Sequence, residues 1–433
     1  MSTYQVRGLG TARSRRDAII IGGGIVGTAV AYYLARCGMK PLIIERDQPG
    51  CLQSGRNLGS VRQQGRDLRE LPLMMDCMKI WDGLEGELSR PLGWRRSGNL
   101  ILARNDDQTA LFERWCKDVR PYGLESEIIS VERISRLTGN IKHVSRFGLY
   151  TASDGKADPS RVTRGFFDAA IEMGAEFLTG QGVDEILVQG GRACGVRVGA
   201  GEYRSDTIIC AAGTASRGLL RRHSIRIPVE TVRASVVRIV CRNVNFDPVL
   251  SAPGFSGRQS VDGSIHLGAT SSIDYDVGFK SWDGIRWFKD KYSSHAKAIN
   301  INLPGLACLR SRKDVPAVDI PRARSAIPVN LQSIALAIQD FRRYYPQAEE
   351  VELVSCWAGN PDFTPDELPV IGLSSKVDNL LIGFGGHGFG FGPIVATILA
   401  DLATGRRSAA IHDFHPDRFA NGTWSKPDPQ LVI

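Results

Sequence analysis

Gly22, Gly24 and Gly27, with a carboxylate 18 residues further on at Glu45, are the first residues of this 433-residue chain whose types and spacing imply chemistry. Bare backbone lets a phosphate reach amide N–H groups, and an acid ending the next strand accepts hydrogen bonds from both hydroxyls of a ribose. Together they make a dinucleotide cradle. Gly22 permits the tight turn, Gly24 leaves room for a pyrophosphate, and Gly27 lets the following helix pack close to its strand. A 2′-phosphate would be repelled at Glu45, and the motif alone leaves FAD and NAD both open. A second glycine-rich stretch, Gly383-Phe-Gly-Gly-His-Gly-Phe-Gly390, opens another apolar helix, and such a turn can meet a second part of the same ligand. Between the two, Gly50 to Arg66 is a run of Gly, Ser, Asn and Gln punctuated by Arg56, Arg62 and Arg66, the composition of a ligand-lining loop.

The elements that must position these groups follow from periodicity. Ala18 to Ile21 is a β-branched run, Ala29 to Ala35 a small, apolar helix face, and a second apolar strand ends at Glu45. The pattern from Asp67 to about Leu88 is helical, and Gly93 to Ala103 reads as a strand pair turning at Ser97-Gly98. Asp158-Pro159 enters a helix that ends at Gly174. A three-part unit of strands follows at 175–178, 182–188 and 192–198, then a buried strand at Thr207 to Gly213. Strands within 226–275, including 231–240 and 263–269, and helices at 281–298 and 331–345 predict an antiparallel sheet with helices. The strand, turn and helix from Leu380 to Asp401 return to the cradle. The expected fold is α/β with an α+β second domain. A Rossmann-like FAD-binding domain spans 1–90, 145–222 and 355–433, and a discontinuous substrate domain spans 91–144 and 223–354.

Composition bounds the rest: 42% apolar and 23% charged residues suit a soluble chain able to bury two cores. The net charge of +8 is dispersed, with no basic run interleaved with aromatics, which argues against nucleic acid. Nine cysteines without a CxxC pair indicate a reducing, cytoplasmic setting and no metal or iron–sulfur site carried by this chain alone. Residues 1–16 read as no signal peptide. Leu380 to Ala403 is broken by six glycines, His387 and Pro393, so no direct membrane insertion is expected.

Four separated segments agree on a family: the opening cradle; the Asp158-Pro helix with Val183 and Ala211-Ala-Gly213; Thr364-Pro-Asp-Glu-Leu-Pro-Val-Ile-Gly372; and the Gly383 to Gly390 turn. The chain resembles the FAD-dependent D-amino-acid and sarcosine oxidase superfamily over nearly its whole length, and that resemblance selects FAD over NAD. Its loop Gly55-Arg-Asn-Leu-Gly-Ser-Val-Arg62 looks most like the β subunits of multi-subunit members. These include heterotetrameric sarcosine oxidases, dye-linked proline dehydrogenases and, as the leading candidate, the bacterial opine (octopine or nopaline) oxidases. The resemblance implies adenosine on Glu45, Arg46 and Val183, with Ala212 and Gly213 beside it. The pyrophosphate would lie on Gly22, Gly24, Ile25, Val26 and Gly27. The isoalloxazine would lie between Ser54, Arg56, Asn57, Gly59 and Ser60 on one side and Gly385, Gly386, His387, Gly388, Phe389 and Gly390 on the other. The implied chemistry is hydride transfer from an amine-bearing carbon to flavin, followed by hydrolysis of the imine.

Departures from the family pattern narrow the site. Many D-amino-acid and glycine oxidases clamp the substrate carboxylate with an Arg two residues beyond Trp-Ala-Gly, where this chain has Pro361 after Trp357-Ala-Gly-Asn. Monomeric sarcosine oxidases use a Lys where Gly390 stands, while Arg62 matches their remaining carboxylate-binding arginine. Arg62 is therefore the leading substrate residue and Arg66 the second; the alternative is that Arg62 pairs with a structural carboxylate. His387 is placed to donate to the flavin O2 edge or simply to fill its turn. His266, in Ile265-His-Leu-Gly268, stands where monomeric sarcosine oxidases hold their oxygen-activating Lys. Trp94, Trp357 and Phe389 read as either substrate pocket or core.

The FAD is expected to be non-covalent, because no His occurs before His143 and Gly359 replaces the flavin-linking Cys of some relatives. Heterotetrameric sarcosine oxidases hold a second flavin on a His aligned near Pro159, so an FMN here would be unlinked. FMN or an iron–sulfur cluster would be held with a larger partner subunit. The substrate is a small amino acid or an opine, with octopine, nopaline, sarcosine, proline and D-amino acids all open. The competing readings are a stand-alone oxidase forming hydrogen peroxide and a flavin-binding assembly subunit without chemistry.

Overall fold

The computed structural model describes residues 15–142, 147–277, 287–288, 298–303, 311–313, 326–406 and 411–427. Its chain builds a mixed α/β fold on two large sheets. The first has six strands in the order Val370–Leu373, Leu380–Phe384, Ile208–Cys210, Ala18–Ile21, Pro41–Glu45 and Glu176–Thr179. All neighbours are parallel except the Val370–Leu373 edge. A parallel sheet covered on both faces demands apolar side chains on both, which explains unbroken runs such as Ala18-Ile-Ile-Ile21. Ile20 and Ile43 point into a core with helices Ile25–Arg36, Leu71–Leu88, Pro159–Glu172 and Gly388–Ala403. Ile19, Ile21, Leu42 and Ile44 point the other way, against a small antiparallel sheet of Glu185–Gln189, Arg192–Val198 and Gly201–Arg204. The Asp158-Pro signal holds: the Asp158 carboxylate accepts from Ser160 N and Arg161 N, each at 3.0 Å. Gly174 follows that helix at φ +93°.

The second sheet has eight strands: Glu352–Gly359, Ala234–Val240, Ile265–Ala269, Phe255–Gln259, Val249–Ala252, Asn99–Leu102, Phe147–Thr151 and Glu127–Ser130. Only Val249–Ala252 and Asn99–Leu102 run parallel. Helix Leu331–Tyr344 covers one face with Ile334, Ala337, Phe341 and Tyr344, the spacing of a single helical stripe.

Several expectations need correction. Glu176–Thr179 does not join the unit that follows it; it extends the parallel sheet beside Pro41–Glu45, and the third strand of the small sheet is Gly201–Arg204. Trp94 to Arg96 forms no strand partnered with Asn99–Leu102, because Arg95 pairs instead with Lys156 through two backbone hydrogen bonds, while Leu92 N and Trp94 N donate to Glu85 Oε1. Phe147–Thr151 lies in the eight-stranded sheet, as does all of Glu352–Gly359, so by sheet membership the crossovers fall after 151 and after 359 rather than at 145 and 355. A strand's period shows which face is buried but not which sheet it enters. The expected helix at 281–298 lies outside the described residues apart from 287–288 and 298.

Candidate active site

Where the two sheets meet, a cavity of about 670 Å³ runs from the first glycine turn to the second. Its floor is set by local sterics. A Cβ on Gly22 would stand 2.5 Å from the Ala211 carbonyl oxygen, and one on Gly27 would stand 1.9 Å from the Gly22 oxygen, so strand, turn and helix meet only because both lack side chains. At Gly24 the obstacle is Ser54, whose Oγ accepts from Ile25 N at 3.0 Å and caps the helix start. Glu45 Oε2 accepts from Gly23 N at 2.6 Å and Oε1 from Asp47 N at 2.8 Å, while burial raises its pKa. Both oxygens keep lone pairs for further donors.

Gly24, Ile25, Val26, Glu45, Arg46, Val183, Ala212 and Gly213 line one end of the cavity. Ser54, Asn57, Gly59, Ser60, Gly385, His387, Gly388, Phe389 and Gly390 line the rest. Asn57 holds its loop in shape, accepting from Gly59 N at 2.8 Å and donating to the carbonyls of Gln53 and Ser54. His387 sits at φ +54° just before its helix, and Gly386 at φ +25° packs on the Glu367 carbonyl, where a Cβ would come within 2.5 Å. Trp81 Nε1 and Cys77 Sγ both donate to the Gly390 carbonyl, which anchors the second turn to helix Leu71–Leu88.

Arg62 and Arg66 both line the cavity. Arg62 donates to the Gln64 carbonyl; burial lowers its pKa, opposed by Asp154, Glu70 and Glu367. Asp154 accepts from Gln63 N at 2.7 Å and Gln64 N at 3.1 Å, and burial pushes it up to about 6. Arg66 Nη2 would lie 3.6 Å from a Cβ on Gly390, so its guanidinium stands against the position where a longer side chain is expected in monomeric sarcosine oxidases.

Other sequence candidates lie elsewhere. Arg56 is buried away from the cavity, donating to the carbonyls of Cys51 and Ala358. Gly27 and Gly386 shape the turns from behind rather than lining the cavity. His266 is buried edge-on against Trp357 and lines a second, smaller cavity with Arg95, Lys156, Pro159, Arg161, Arg238 and Arg258. Burial and the neighbouring Arg258 and Arg238 hold its pKa well below the usual histidine value, so it is neutral. Trp94 and Trp357 are packing residues, while Phe389 both packs on Trp81 and lines the main cavity. Sequence reasoning assigned no role to Asn360, Asp362 or Arg222 on the main wall or to the second cavity; the first two adjoin the Trp357-Ala-Gly segment, which could have pointed to them, and no local motif marks Arg222.

This cavity fits FAD. A helix N-terminus with small residues suits a pyrophosphate, Glu45 has acceptor capacity for a ribose, and a second bare turn stands at the far end. A family model described as FAD dependent oxidoreductase matches residues 17–402. The chain belongs to that family. Human peroxisomal sarcosine oxidase is 26% identical over 399 residues, covering 89% of this chain and 92% of its own. L-amino acid deaminase from Proteus myxofaciens superposes with a TM-score of 0.85 at 21% identity, covering 96% of this chain and 97% of that one. L-proline dehydrogenase from P. horikoshii does so at 0.77 and 21% identity, covering 95% and 100%. These superpositions show a shared fold across both sheets. The oxidoreductase is FAD-dependent and of the amine and amino-acid class. Among its described residues no helix is long and apolar enough to cross a membrane.

Proposed function

We propose that this oxidoreductase oxidises the C–N bond of a secondary-amine amino acid, with an opine-type substrate favoured, as the catalytic subunit of a hetero-oligomer in the cytoplasm. The observation that carries the reading is the Arg62 guanidinium on the wall of the cofactor cavity, with the second guanidinium of Arg66 beside it. A planar fork suits a substrate carboxylate, and burial strengthens the interaction by excluding water. FAD held by the two glycine turns supplies the hydride acceptor. Arg62 would orient the substrate through its carboxylate, Phe389 gives an apolar wall, and His387 on the same wall would donate toward the flavin edge. The oxidised substrate is an imine, which water hydrolyses to a carbonyl compound and an amine.

Secondary amines are favoured because sarcosine and proline, named for two of the similar proteins, share that group. The second cavity supports the hetero-oligomer. Pro159 lies on its wall, where heterotetrameric relatives attach an FMN, and Arg95, Lys156, Arg161 and Arg258 give it a basic lining that suits a phosphate held with a larger partner. Burial lowers Lys156 to about 8 and Arg258 to about 10, opposed by Asp247 at Lys156 and by Asp158 and Asp262 at Arg258. The full-length match to peroxisomal sarcosine oxidase supports the second reading, a stand-alone oxidase that makes hydrogen peroxide.

Anaerobic mixing of the FAD-loaded chain with octopine, nopaline, sarcosine, proline, glycine and D-amino acids tests the proposal. Bleaching of the flavin by a secondary amine is expected. Bleaching by primary amines alone would overturn the substrate class, and no bleaching by any amine would favour the reading as an assembly component.

A further inference from the structure

Buried acids around the two sheets face a cation or a set of amides, with one exception on the cavity wall. Asp366 takes two hydrogen bonds from Arg418, at 2.7 and 3.1 Å, and Asp274 stands 3.1 Å from Arg233. Glu70 faces Arg66 at 3.8 Å, and Asp154 is held by the amides of Gln63 and Gln64. Asp362 differs: its Oδ2 is buried with no hydrogen-bond partner, and no ion pair to it occurs among the described residues. Burial pushes its carboxyl up to about 6, with no cation offsetting the shift, so it is mostly ionised at neutral pH. An uncompensated buried carboxylate costs stability, and its natural complement is a cation brought by a ligand.

The backbone places this acid firmly. Asp362–Phe363 is a two-residue strand paired with Glu230–Thr231, and Val232 N donates to the Pro361 carbonyl at 3.1 Å. The carboxylate lines the main cavity together with Asn360, Pro361 and Ile327, a section of wall contributed from outside the two glycine turns.

We propose that Asp362 receives a cationic group at the far end of the substrate, so that the preferred amine carries a carboxylate for Arg62 and a distal guanidinium or ammonium for Asp362. This rests on the amine-oxidation reading and narrows its substrate class. Sarcosine, proline and glycine have no such group and become poor substrates.

The test uses the FAD-loaded chain and two N-(carboxyalkyl) amino acids of equal length, one ending in a guanidinium and one in the neutral urea isostere. Wild type is expected to favour the guanidinium by at least about tenfold in kcat/KM, the range of a charge-assisted hydrogen bond. Asp362→Asn should bring the ratio near one with FAD content unchanged. The same ratio is read in dissociation constants of the N-acylated, non-oxidisable pair, followed by flavin absorbance. An unchanged ratio in Asp362→Asn overturns the assignment, and so does loss of FAD from that variant, which would make Asp362 a cofactor residue. If no amine reduces the flavin, the oxidation reading fails while the dissociation-constant ratio still decides the role of Asp362.

Discussion

Arg66 Nη1 stands 3.8 Å from Glu70 Oε2, with both side chains almost wholly buried. At that separation the pair attracts without a hydrogen bond, so desolvation outweighs the attraction on both sides. Arg66 is lowered to about 10, and Glu70 is raised from 4.5 to about 7. Between those two carboxyl values the native state holds a proton that the unfolded chain has released, so unfolding gives up a proton and rising pH favours it. The stability of wild type minus that of Glu70→Gln should therefore fall by about 3 kcal/mol between pH 4.5 and pH 7. Urea unfolding of both proteins across that range measures it; a flat difference would mean the Glu70 carboxyl titrates normally.

Arg62→Ala should raise KM sharply and leave FAD content intact, because a charge-assisted hydrogen bond to substrate in a desolvated site is worth about 2 to 4 kcal/mol. Arg62→Lys should recover little, because an ammonium cannot reproduce the planar fork. Steady-state kinetics with any amine that bleaches the flavin checks this, and unchanged kcat/KM in the alanine variant would place the substrate carboxylate elsewhere.

Gly24→Val puts a branched side chain where the first carbon alone would come 2.9 Å from Ser54 Oγ. Two losses follow: the hydroxyl is driven off Ile25 N, and the approach to the helix start is filled. The variant should purify with little flavin. Absorbance ratios at wild-type level would show that the phosphate does not lie on this turn.

Reduced flavin should react slowly with oxygen. His266, which the sequence comparison sets against the activating lysine of monomeric sarcosine oxidases, is buried, neutral and on the wall of the second cavity rather than the first. A fixed cation near the flavin stabilises developing superoxide, and none is offered by this group. Stopped-flow mixing of the substrate-reduced chain with air-saturated buffer reports the rate. Reoxidation as fast as turnover, with stoichiometric peroxide, would assign the chain to the stand-alone oxidases.

The parts of this molecule legible in the sequence are those set by local chemistry. Gly27 and Gly174 are glycines for steric reasons that act over a few residues, and Asp158 caps a helix three residues away. Glu45 follows from the length of one helix and one strand. What was not legible depends on the partner a segment finds. Glu176–Thr179 is apolar enough for either sheet, and its place beside Pro41–Glu45 is decided by packing far along the chain. Arg56, in the loop read as cofactor-lining, turns inward because the carbonyls of Cys51 and Ala358 converge on it, the latter 302 residues distant. Asp362 lies between two family segments, Trp357 to Pro361 and Thr364 to Gly372, but neither marks it as a charge without a partner, and only the surrounding wall shows that.

Ile208–Cys210 pairs in parallel with Leu380–Phe384, and the turn after that second strand closes the cofactor cavity. A ribosome that has translated the whole first glycine motif has still made only part of a binding site, because the inner strand of the sheet must wait for residues 380–384. Folding of the cradle is thus a late event with long-range pairing, slow relative to local helices and exposed to aggregation while it waits. Nascent chains arrested before Leu380 should retain no flavin.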